Sequence, residues 1–212
     1  ISKSIKSKNK LIKYLFEKNL ILGNKKYKNE NLNVKEKFLD FILNLTIRKK
    51  IKNIFGKNLM AFVSGGAALK HNSAIFFFSM GIKILQGYGQ TEYSPIISIT
   101  PFNNIKLDKV GKAIHSTEIK LSRDKEILVR GRSLMKGYWK DKKSTDNTII
   151  NGWLHTGDLG LIDEDNYLKI IGRKNEMIVN SGGENIAPAP IEEMLLNYDE
   201  IDQVMIYGHG KP

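Results

Sequence analysis

Residues 59–89, LMAFVSGGAALKHNSAIFFFSMGIKILQGYG, decide the fold class. The stretch opens with a continuous apolar run over 59–63, which is typical of a buried strand. After a glycine-containing turn, the pattern of 71–80 predicts a helix, and 82–85 is a second buried strand. Strand, turn, helix and strand in this order predict a βαβ unit, so we expect an α/β fold. Ligands gather where the strands of such units end, which directs attention to the turns SGGAA and GYG.

The sequence before this unit is rich in lysine and asparagine. Apolar pairs within 11–16 predict a short amphipathic helix, which we expect to end at Gly23–Asn24. An exposed loop is predicted over 24–33. Apolar residues at spacings of three and four then predict a second helix over 34–54.

The net charge of +12 is distributed unevenly. Residues 1–60 hold 16 Lys or Arg and 4 Asp or Glu, whereas residues 61–212 hold 18 of each, so the whole excess lies in the first 60 residues. One interpretation is a solvated, compositionally biased segment; the other is contact with an anionic membrane surface. No RNA-binding motif with interleaved aromatic residues accompanies the charge, so we expect no nucleic-acid partner.

Composition excludes several kinds of site. The chain has no cysteine, which removes disulfides, iron–sulfur clusters and thiolate zinc sites. Its four histidines are scattered, so a metal site bound by imidazole is not expected. The apolar runs are too short for a membrane span, and no secretory h-region follows the basic start. We therefore expect a cytoplasmic protein, or one peripheral at the inner face of a membrane if the basic segment binds there.

The pattern changes after Pro101. Short alternating or β-branched runs at 117–121, 126–130 and 166–171 predict an antiparallel region resembling a small barrel. From Gly172 onward the pattern changes again. There it predicts a strand over 177–179, a glycine turn, a helix over 191–197 and a last strand over 204–207. We expect four parts: a basic helical segment (1–58), a βαβ part (59–106), a β-barrel-like part (107–172) and an incomplete small C-terminal domain (173–212).

The stretch GYGQTE at 87–92 carries groups suited to a nucleotide. Tyr88 can stack on a purine, while the flanking glycines let the backbone approach a ligand. The Thr91 hydroxyl can bond a phosphate oxygen, and the Glu92 carboxylate can hold Mg²⁺ that bridges phosphates. The alternative is an ordinary tight turn with a capping threonine.

Three further positions each have a ligand-binding interpretation and a purely structural one. Asp158, in GWLHTGDLG, can accept hydrogen bonds from the two vicinal hydroxyls of a ribose, or it can form an Asx-turn with its own backbone. Arg173 can reach a ribose or phosphate oxygen, or it is a surface cation at a strand end. Gly182–Gly183 can form a hairpin turn, or a narrow ligand can pass there against bare backbone.

The ordered set of motifs resembles the adenylate-forming superfamily, which includes acyl-CoA synthetases. The stretches are VSGGAAL (63–69), GYGQTE, GWLHTGDLG and GRKNEMIVNSGGENIAPAPIE (172–192), with KEILVRG and MKGYW between them. The resemblance runs from about Leu59 to Tyr207, and the residues of the motifs are most like those of bacterial long-chain fatty-acyl-CoA synthetases. It implies the end of an αβ sheet layer, a small antiparallel barrel-like region and the start of a small α+β C-terminal domain.

The resemblance implies a long-chain fatty-acid–CoA ligase that uses ATP, Mg²⁺ and coenzyme A. A fatty acid would form an acyl adenylate, which would then react with the thiol of coenzyme A. The alternatives are a ligase for another carboxylate, a ligase that loads a carrier protein, or a non-catalytic nucleotide-binding remnant. Oligomeric state is not predicted.

The resemblance also assigns residues. Gly65, Gly66 and Ala67 would line the adenine and acyl pocket, and Tyr88, between Gly87 and Gly89, would stack on adenine. Thr91 would contact the α-phosphate, Glu92 the magnesium, and Asp158 and Arg173 the ribose. Lys174 and Asn175 would be the hinge of the small domain, and Ser181, Gly182 and Gly183 would border the coenzyme A channel.

This sequence departs from the family pattern at the hinge. Asn175 stands where Asp or Lys is usual, and Val179 replaces a common lysine. By the resemblance, the family's phosphate loop and its near-C-terminal lysine fall outside residues 1–212. We therefore expect the 212-residue chain by itself to be inactive in adenylation.

Overall fold

The computed structural model describes residues 10–56, 58–67, 69–179, 182–196, 198 and 200–208. These residues form two compact units. The first contains the described residues of 1–64 and 69–85, and the second contains those of 65–68 and 86–212. The predicted Ser181 lies outside the described residues.

The elements follow the order that an α/β chain requires. The first unit holds α1 (Lys10–Tyr27), α2 (Val34–Leu43), α3 (Lys49–Ile54), β1 (Phe62–Ser64) and α4 (His71–Ser79). Strand β2 (Ile84–Tyr88) begins in the first unit and ends in the second. The second unit continues with β3 (Ser98–Ile99), β4 (Lys112–Ala113), β5 (Thr117–Leu121), β6 (Glu126–Gly131), α5 (Lys142–Thr148), β7 (Ile149–Ile150), β8 (Trp153–Ile162), β9 (Leu168–Arg173), β10 (Ile178–Val179), β11 (Asn185–Ile186) and α6 (Pro188–Leu195). The α/β class and the order β1, α4, β2 are confirmed.

Residues 34–54 form one helical run, as predicted. A capping box begins α2: Asn33 Oδ1 accepts from the Glu36 N–H at 2.9 Å, and Glu36 Oε2 accepts from the Asn33 N–H at 3.0 Å. A π-helical turn, Asn44–Arg48, then joins α2 to α3 without interruption. It carries Arg48 into the interior, where the Arg48 Nε donates to Asn19 Oδ1 at 2.8 Å and to the Ser79 carbonyl at 3.0 Å.

The prediction that the first helix ends at Gly23–Asn24 is wrong, because α1 continues to Tyr27. A Cβ on Gly23 would lie only 2.0 Å from Ser79 Oγ in α4. The glycine therefore allows α1 and α4 to approach closely, and it does not stop the helix. The loop before α2 is correspondingly shorter than predicted.

The second unit contains two antiparallel arrangements. The end of β2 pairs with β3, with Gly87 opposite Ile99, and β3 pairs with β4. A five-stranded sheet has the order β5-β6-β8-β7, with β9 also paired to β8. The buried core beside it consists of Tyr93, Ile97, Ile127, Val129, Leu154 and Leu168.

The five-stranded sheet is open within the described residues, so the expected barrel is corrected to an open antiparallel sheet. The ten-residue β8 explains this arrangement. Leu154 is paired with β6 and β7, whereas Leu159 is paired with β6 and β9, so β7 and β9 share one edge of β8. A barrel would need the two outer strands of the sheet to pair, and here β5 remains at an edge.

The C-terminal segment is only partly as predicted. Strands β10 and β11 pair antiparallel, with Ile178 opposite Ile186. Helix α6 begins at Pro188, earlier than expected, because proline is tolerated in the first helical turn. Residues 204–207 are not a strand in the described structure; the Ile206 N–H instead donates to Glu192 Oε1 at 2.8 Å. The four-part domain division stays a prediction.

Candidate functional site

Asp158 lies at the centre of a hydrogen-bonded group in the second unit. Its side chain is 7% exposed, and its Oδ2 accepts from Tyr88 Oη at 2.6 Å and from Gln90 Nε2 at 2.8 Å. Its Oδ1 lies 3.3 Å from Arg173 Nε. The structure thus brings together Tyr88, Asp158 and Arg173, which the sequence had assigned to one nucleotide.

The local backbone of β8 explains how Asp158 is presented. The stretch GWLHTGDLG is not a turn but most of β8, the longest strand described. Gly157 adopts φ 71°, a left-handed conformation suited to glycine, and its N–H donates to Glu126 Oε1 at 3.1 Å. The Thr156 hydroxyl accepts from the Asp158 N–H at 3.1 Å. The irregular strand therefore turns the Asp158 carboxylate toward Tyr88.

Tyr88 ends β2, and its ring packs against the buried core of the second unit. Burial, and then the hydrogen bond to Asp158, raise the pKa of the Tyr88 hydroxyl far above its usual value. The hydroxyl is therefore neutral at physiological pH and acts as a donor to Asp158.

Sequence reasoning missed Gln90. Besides Asp158, its Nε2 donates to the Thr156 carbonyl at 2.9 Å, and it lies 3.5 Å from Tyr88 Oη. The available signal was its place in GYGQTE, between residues already assigned to a ligand, with an amide that can donate two hydrogen bonds.

Thr91 and Glu92 lie on a short 3₁₀ helix, Thr91–Tyr93, which begins two residues after Gly89. Gly87 and Tyr88 belong to β2, so the predicted GYG turn is corrected to the end of a strand. Gly89 allows the chain to pass close to Pro95, because a Cβ on Gly89 would lie 1.6 Å from the Pro95 carbonyl oxygen. Thr91 is exposed and Glu92 is half-buried. Both are therefore accessible to a ligand.

Tyr138 is a second residue that sequence reasoning missed, although its motif MKGYW was noted. Its hydroxyl donates to Glu92 Oε1 at 2.8 Å, and the Met135 N–H donates to the Glu92 carbonyl at 2.9 Å. Burial, and then the bond to Glu92, raise the pKa of Tyr138. The loop that carries this motif therefore holds Glu92 at both its backbone and its side chain.

Glu92 fits a magnesium ion that is shared with substrate. Among the described residues no group of three or more His, Cys, Asp or Glu side chains is arranged to hold a metal. Mg²⁺ is commonly bound by one or two carboxylates together with substrate phosphates and water, and an accessible carboxylate suits that mode. Glu92 is thus a suitable single protein ligand for the magnesium of a nucleotide.

The glycine turn after β1 lies beside the end of β2. A Cβ on Gly65 would be 3.4 Å from the Gly87 carbonyl oxygen, which is contact distance. Gly66 adopts φ 81°, and nothing lies within 4 Å of a Cβ built there. Gly65 therefore lies beside Gly87, and Gly65, Gly66 and Ala67 are all exposed and accessible to a ligand.

The predicted hinge residues follow β9 directly. Arg173 lies opposite Asp158 in the β8–β9 ladder, and Lys174 and Asn175 begin a short 3₁₀ helix, Lys174–Glu176. Asn175 is exposed. Lys174 Nζ lies 2.5 Å from Asp124 Oδ2 and 3.1 Å from Glu126 Oε2. The lysine therefore joins the start of the C-terminal segment to the hairpin between β5 and β6.

Glu126 connects Lys174 to the strand that carries Asp158. Its side chain is 8% exposed, and its Oε2 also lies 3.4 Å from His155 Nδ1. A hydrogen bond from Lys174 lowers the pKa of Asp124 to about 2, and the hydrogen bonds that Lys174 donates to Asp124 and Glu126 raise the pKa of Lys174. Asp124 and Lys174 are therefore both charged at neutral pH.

The predicted coenzyme A channel is described only in part. Gly182 and Gly183 lie in the turn between β10 and β11 and are exposed. Gly183 adopts φ 78°, with nothing within 4 Å of a Cβ built there. Their role at a channel stays a prediction.

Comparison with known proteins identifies the family. A family profile described as AMP-binding enzyme matches residues 18–139, which is more than half of the 212 residues. The chain belongs to this family of AMP-binding enzymes. The resemblance to the adenylate-forming superfamily is thereby confirmed.

Several acid–CoA ligases are similar in sequence. The long-chain-fatty-acid–CoA ligase FadD15 of Mycobacterium bovis is 40% identical over 166 residues, which are 78% of this chain and 28% of that protein. A 2-succinylbenzoate–CoA ligase of Listeria monocytogenes is 37% identical over 129 residues, 60% of this chain and 27% of that protein. The chain thus spans less than a third of the length of these relatives.

Solved structures of acid–CoA ligases are also similar to this chain. The O-succinylbenzoate coenzyme A synthetase of Bacillus subtilis, in complex with ATP and a magnesium ion, matches with a TM-score of 0.62 and 33% identity, over 66% of this chain and 32% of that chain. The same enzyme with its acyl-adenylate intermediate matches with a TM-score of 0.64 and 29% identity, over 74% of this chain and 36% of that chain. The fold of the matched region is therefore that of an adenylate-forming enzyme.

None of the described helices combines sufficient length with sufficient apolar content to cross a bilayer.

Proposed function

We propose that this chain is the adenosine- and magnesium-binding part of an ATP-dependent acid–CoA ligase, and that its acid is a long-chain fatty acid. The observation that carries the proposal is the buried Asp158 carboxylate, held by Tyr88 and Gln90 on one oxygen and facing Arg173 with the other. The fatty acid is supported by the 40% identity to a relative named as a long-chain-fatty-acid ligase.

Asp158 is suited to the ribose of ATP. A carboxylate has about four lone-pair directions, and donors from Tyr88 and Gln90 use two of them on Oδ2. The remaining directions can accept hydrogen bonds from two vicinal hydroxyls. Arg173, with a side chain 67% exposed, can donate to a ribose or phosphate oxygen from the same edge.

The phosphate side of the nucleotide would meet the turn after β2. The exposed Thr91 hydroxyl can donate to an α-phosphate oxygen, and Glu92 can hold the magnesium ion. When bound, the ion would neutralise charge on the phosphate oxygens. Gly65, Gly66 and Ala67 would accommodate the adenine beside Tyr88.

The proposed reaction has two balanced steps. A carboxylate oxygen of the acid attacks the α-phosphorus of ATP, and the bond to the bridging oxygen breaks, so that pyrophosphate leaves with the electron pair. The sulfur of coenzyme A then attacks the acyl carbon and loses its proton, and AMP leaves with the electron pair of the broken C–O bond. Rotation at Lys174 and Asn175 would separate the two steps, and Gly182 and Gly183 would border the thiol's path.

Exchange between labelled pyrophosphate and ATP tests the proposal in the full-length protein. We expect exchange that depends on added acid and is fastest with a long-chain fatty acid such as palmitate. Absence of exchange with every acid of a panel of alkyl and aryl acids would contradict the ligase. Exchange with aryl acids alone would contradict the long-chain substrate.

A second acid has specific support. The relatives include a ligase named for 2-succinylbenzoate, at 37% identity, and the structural matches include a synthetase for the same acid. The panel should therefore contain 2-succinylbenzoate beside palmitate, because preference between the two decides the substrate class.

A further inference from the structure

We propose that Gln90 is a positioning residue that holds the Asp158 carboxylate in the orientation needed to bind the ribose hydroxyls. The inference rests on the proposed function, because it assumes that the ligand of Asp158 is a ribose. It concerns a side chain that contacts Asp158 and not the reacting atoms.

The geometry gives Gln90 two acceptors for its two amide hydrogens. Its Nε2 lies 2.8 Å from Asp158 Oδ2 and 2.9 Å from the Thr156 carbonyl oxygen. Both partners are oxygen atoms that accept these hydrogen bonds. If the amide were turned about, its Oε1 would face two oxygens and lose both hydrogen bonds. The orientation of the amide is therefore set by its neighbours.

These two bonds connect separate parts of the chain. Gln90 follows β2, whereas Thr156 and Asp158 lie on β8, which is more than 60 positions further along. One amide thus ties the backbone before Asp158 and the carboxylate of Asp158 to the same point. Rotation of the carboxylate would break the bond to Oδ2, so Gln90 restricts that rotation.

The restriction decides which oxygen is presented to a ligand. Oδ2 accepts from Tyr88 and Gln90, and Oδ1 is left facing Arg173. Tyr88 alone supplies a single donor and still permits rotation about that bond. With Gln90, the carboxylate is held before the ligand arrives, so less conformational freedom is lost on binding.

The test compares two ligands in the full-length protein, AMP and 2′,3′-dideoxy-AMP, by isothermal titration calorimetry without acid or coenzyme A. The ratio of their affinities isolates the contribution of the ribose hydroxyls. Gln90→Met has the length of glutamine without a donor, and Gln90→Glu replaces the donor with an acceptor. Gln86→Leu is the matched control, since it removes a buried amide bond to the Leu107 carbonyl (2.6 Å) away from Asp158.

We expect Gln90→Met to reduce the preference for AMP by about tenfold, with little change for the dideoxy ligand, because one hydrogen bond to a charged group is lost. Gln90→Glu should reduce it at least as much, and it carries the test if Gln90→Met does not fold. Gln86→Leu should lower thermal stability and retain the wild-type ratio.

The experiment distinguishes failure of the positioning role of Gln90 from failure of the ribose site at Asp158. A wild-type preference for AMP that persists unchanged in the folded Gln90 variants overturns the positioning role and leaves the ribose site intact. No preference for AMP over the dideoxy ligand in the wild-type protein overturns the proposed ribose site itself, and the positioning role with it.

Discussion

Replacement of Lys174 by methionine should destabilise the second unit by about 2 kcal/mol, the sum of two unequal ion pairs. Methionine keeps most of the side-chain length and removes only the charge. The lysine bridges Asp124 at 2.5 Å and Glu126 at 3.1 Å. The two partners differ in burial, because the Asp124 side chain is 52% exposed and that of Glu126 is 8% exposed.

The burial of each carboxylate partner determines how much its ion pair contributes to the free energy of unfolding. Lys174 is itself 47% exposed, so its pair with Asp124 is screened by solvent and contributes about 0.5 kcal/mol. The pair with Glu126 is a hydrogen bond to a charged and nearly buried group, which contributes about 1.5 kcal/mol. Without Lys174, the Glu126 carboxylate stays buried with the Gly157 N–H and His155 as its neighbours.

Urea unfolding followed by tryptophan fluorescence measures this effect. Both tryptophans, Trp139 and Trp153, lie in the second unit, so the signal reports on that unit. Lys142→Met is the matched control, because Lys142 is 87% exposed and its pair with Asp146 is of the weak surface kind. We expect the control to change the free energy of unfolding by less than about 0.5 kcal/mol.

A double-mutant cycle separates the two pairs. The coupling energy of Lys174 with Glu126, measured with Glu126→Gln, should exceed that with Asp124, measured with Asp124→Asn. Equal coupling energies, or an unchanged stability of Lys174→Met, would show that burial of Glu126 does not govern this contact.

Three further predictions concern other parts of the chain. Gly23→Ala should lower the melting temperature, because the steric cost of the new Cβ against Ser79 exceeds the gain in helix propensity; an unchanged melting temperature would contradict the close approach of α1 and α4. Hydrogen bonds from Lys174 to Asp124, and from Lys106 and Lys109 to Asp163, lower the pKa values of these two carboxyls in the folded protein. Their stabilisation is therefore present above about pH 4 and is lost as the pH falls toward 2; a flat acid unfolding profile over that range would rule it out. The interpretation of residues 1–60 as a membrane contact predicts that the full-length protein sediments with anionic vesicles at physiological salt, and equal sedimentation with neutral vesicles would rule out that interpretation.

Local patterns predicted much of the fold. The helical run over 34–54 was predicted from apolar residues at spacings of three and four, and the order β1, α4, β2 from two apolar runs on either side of a helical pattern. Burial is not what the first of these patterns reports, because Val34, Phe38 and Phe41 are exposed. Gly23 was misinterpreted for a different reason. Gly23 is required by its close contact with Ser79, 56 positions away, and nothing in the neighbouring sequence distinguishes a glycine needed for packing from one that ends a helix.

Contacts between residues far apart in the sequence also limited the prediction of the site. The types of Tyr88, Asp158 and Arg173 indicated a nucleotide, and the structure places them together. Gln90 and Tyr138 were missed because each acts through a hydrogen bond to a distant residue. Asp158 is 68 positions from Gln90, Glu92 is 46 positions from Tyr138, and neither glutamine nor tyrosine by its type alone indicates such a contact. An Asx-turn was one interpretation of Asp158 because glycines flank it in GWLHTGDLG, whereas pairing with β6 and β9 makes this stretch a strand.

The most direct test of the ribose site is the affinity for AMP of the full-length protein carrying Asp158→Asn, measured by titration calorimetry. Asparagine keeps the shape of the side chain and removes its charge, so we expect affinity to fall by about a hundredfold, as for two hydrogen bonds to a charged acceptor. Asp146→Asn, an exposed position in α5, serves as the control and should bind AMP as the wild type does. If Asp158→Asn binds AMP as tightly as the wild-type protein, Asp158 is not the ribose-binding residue.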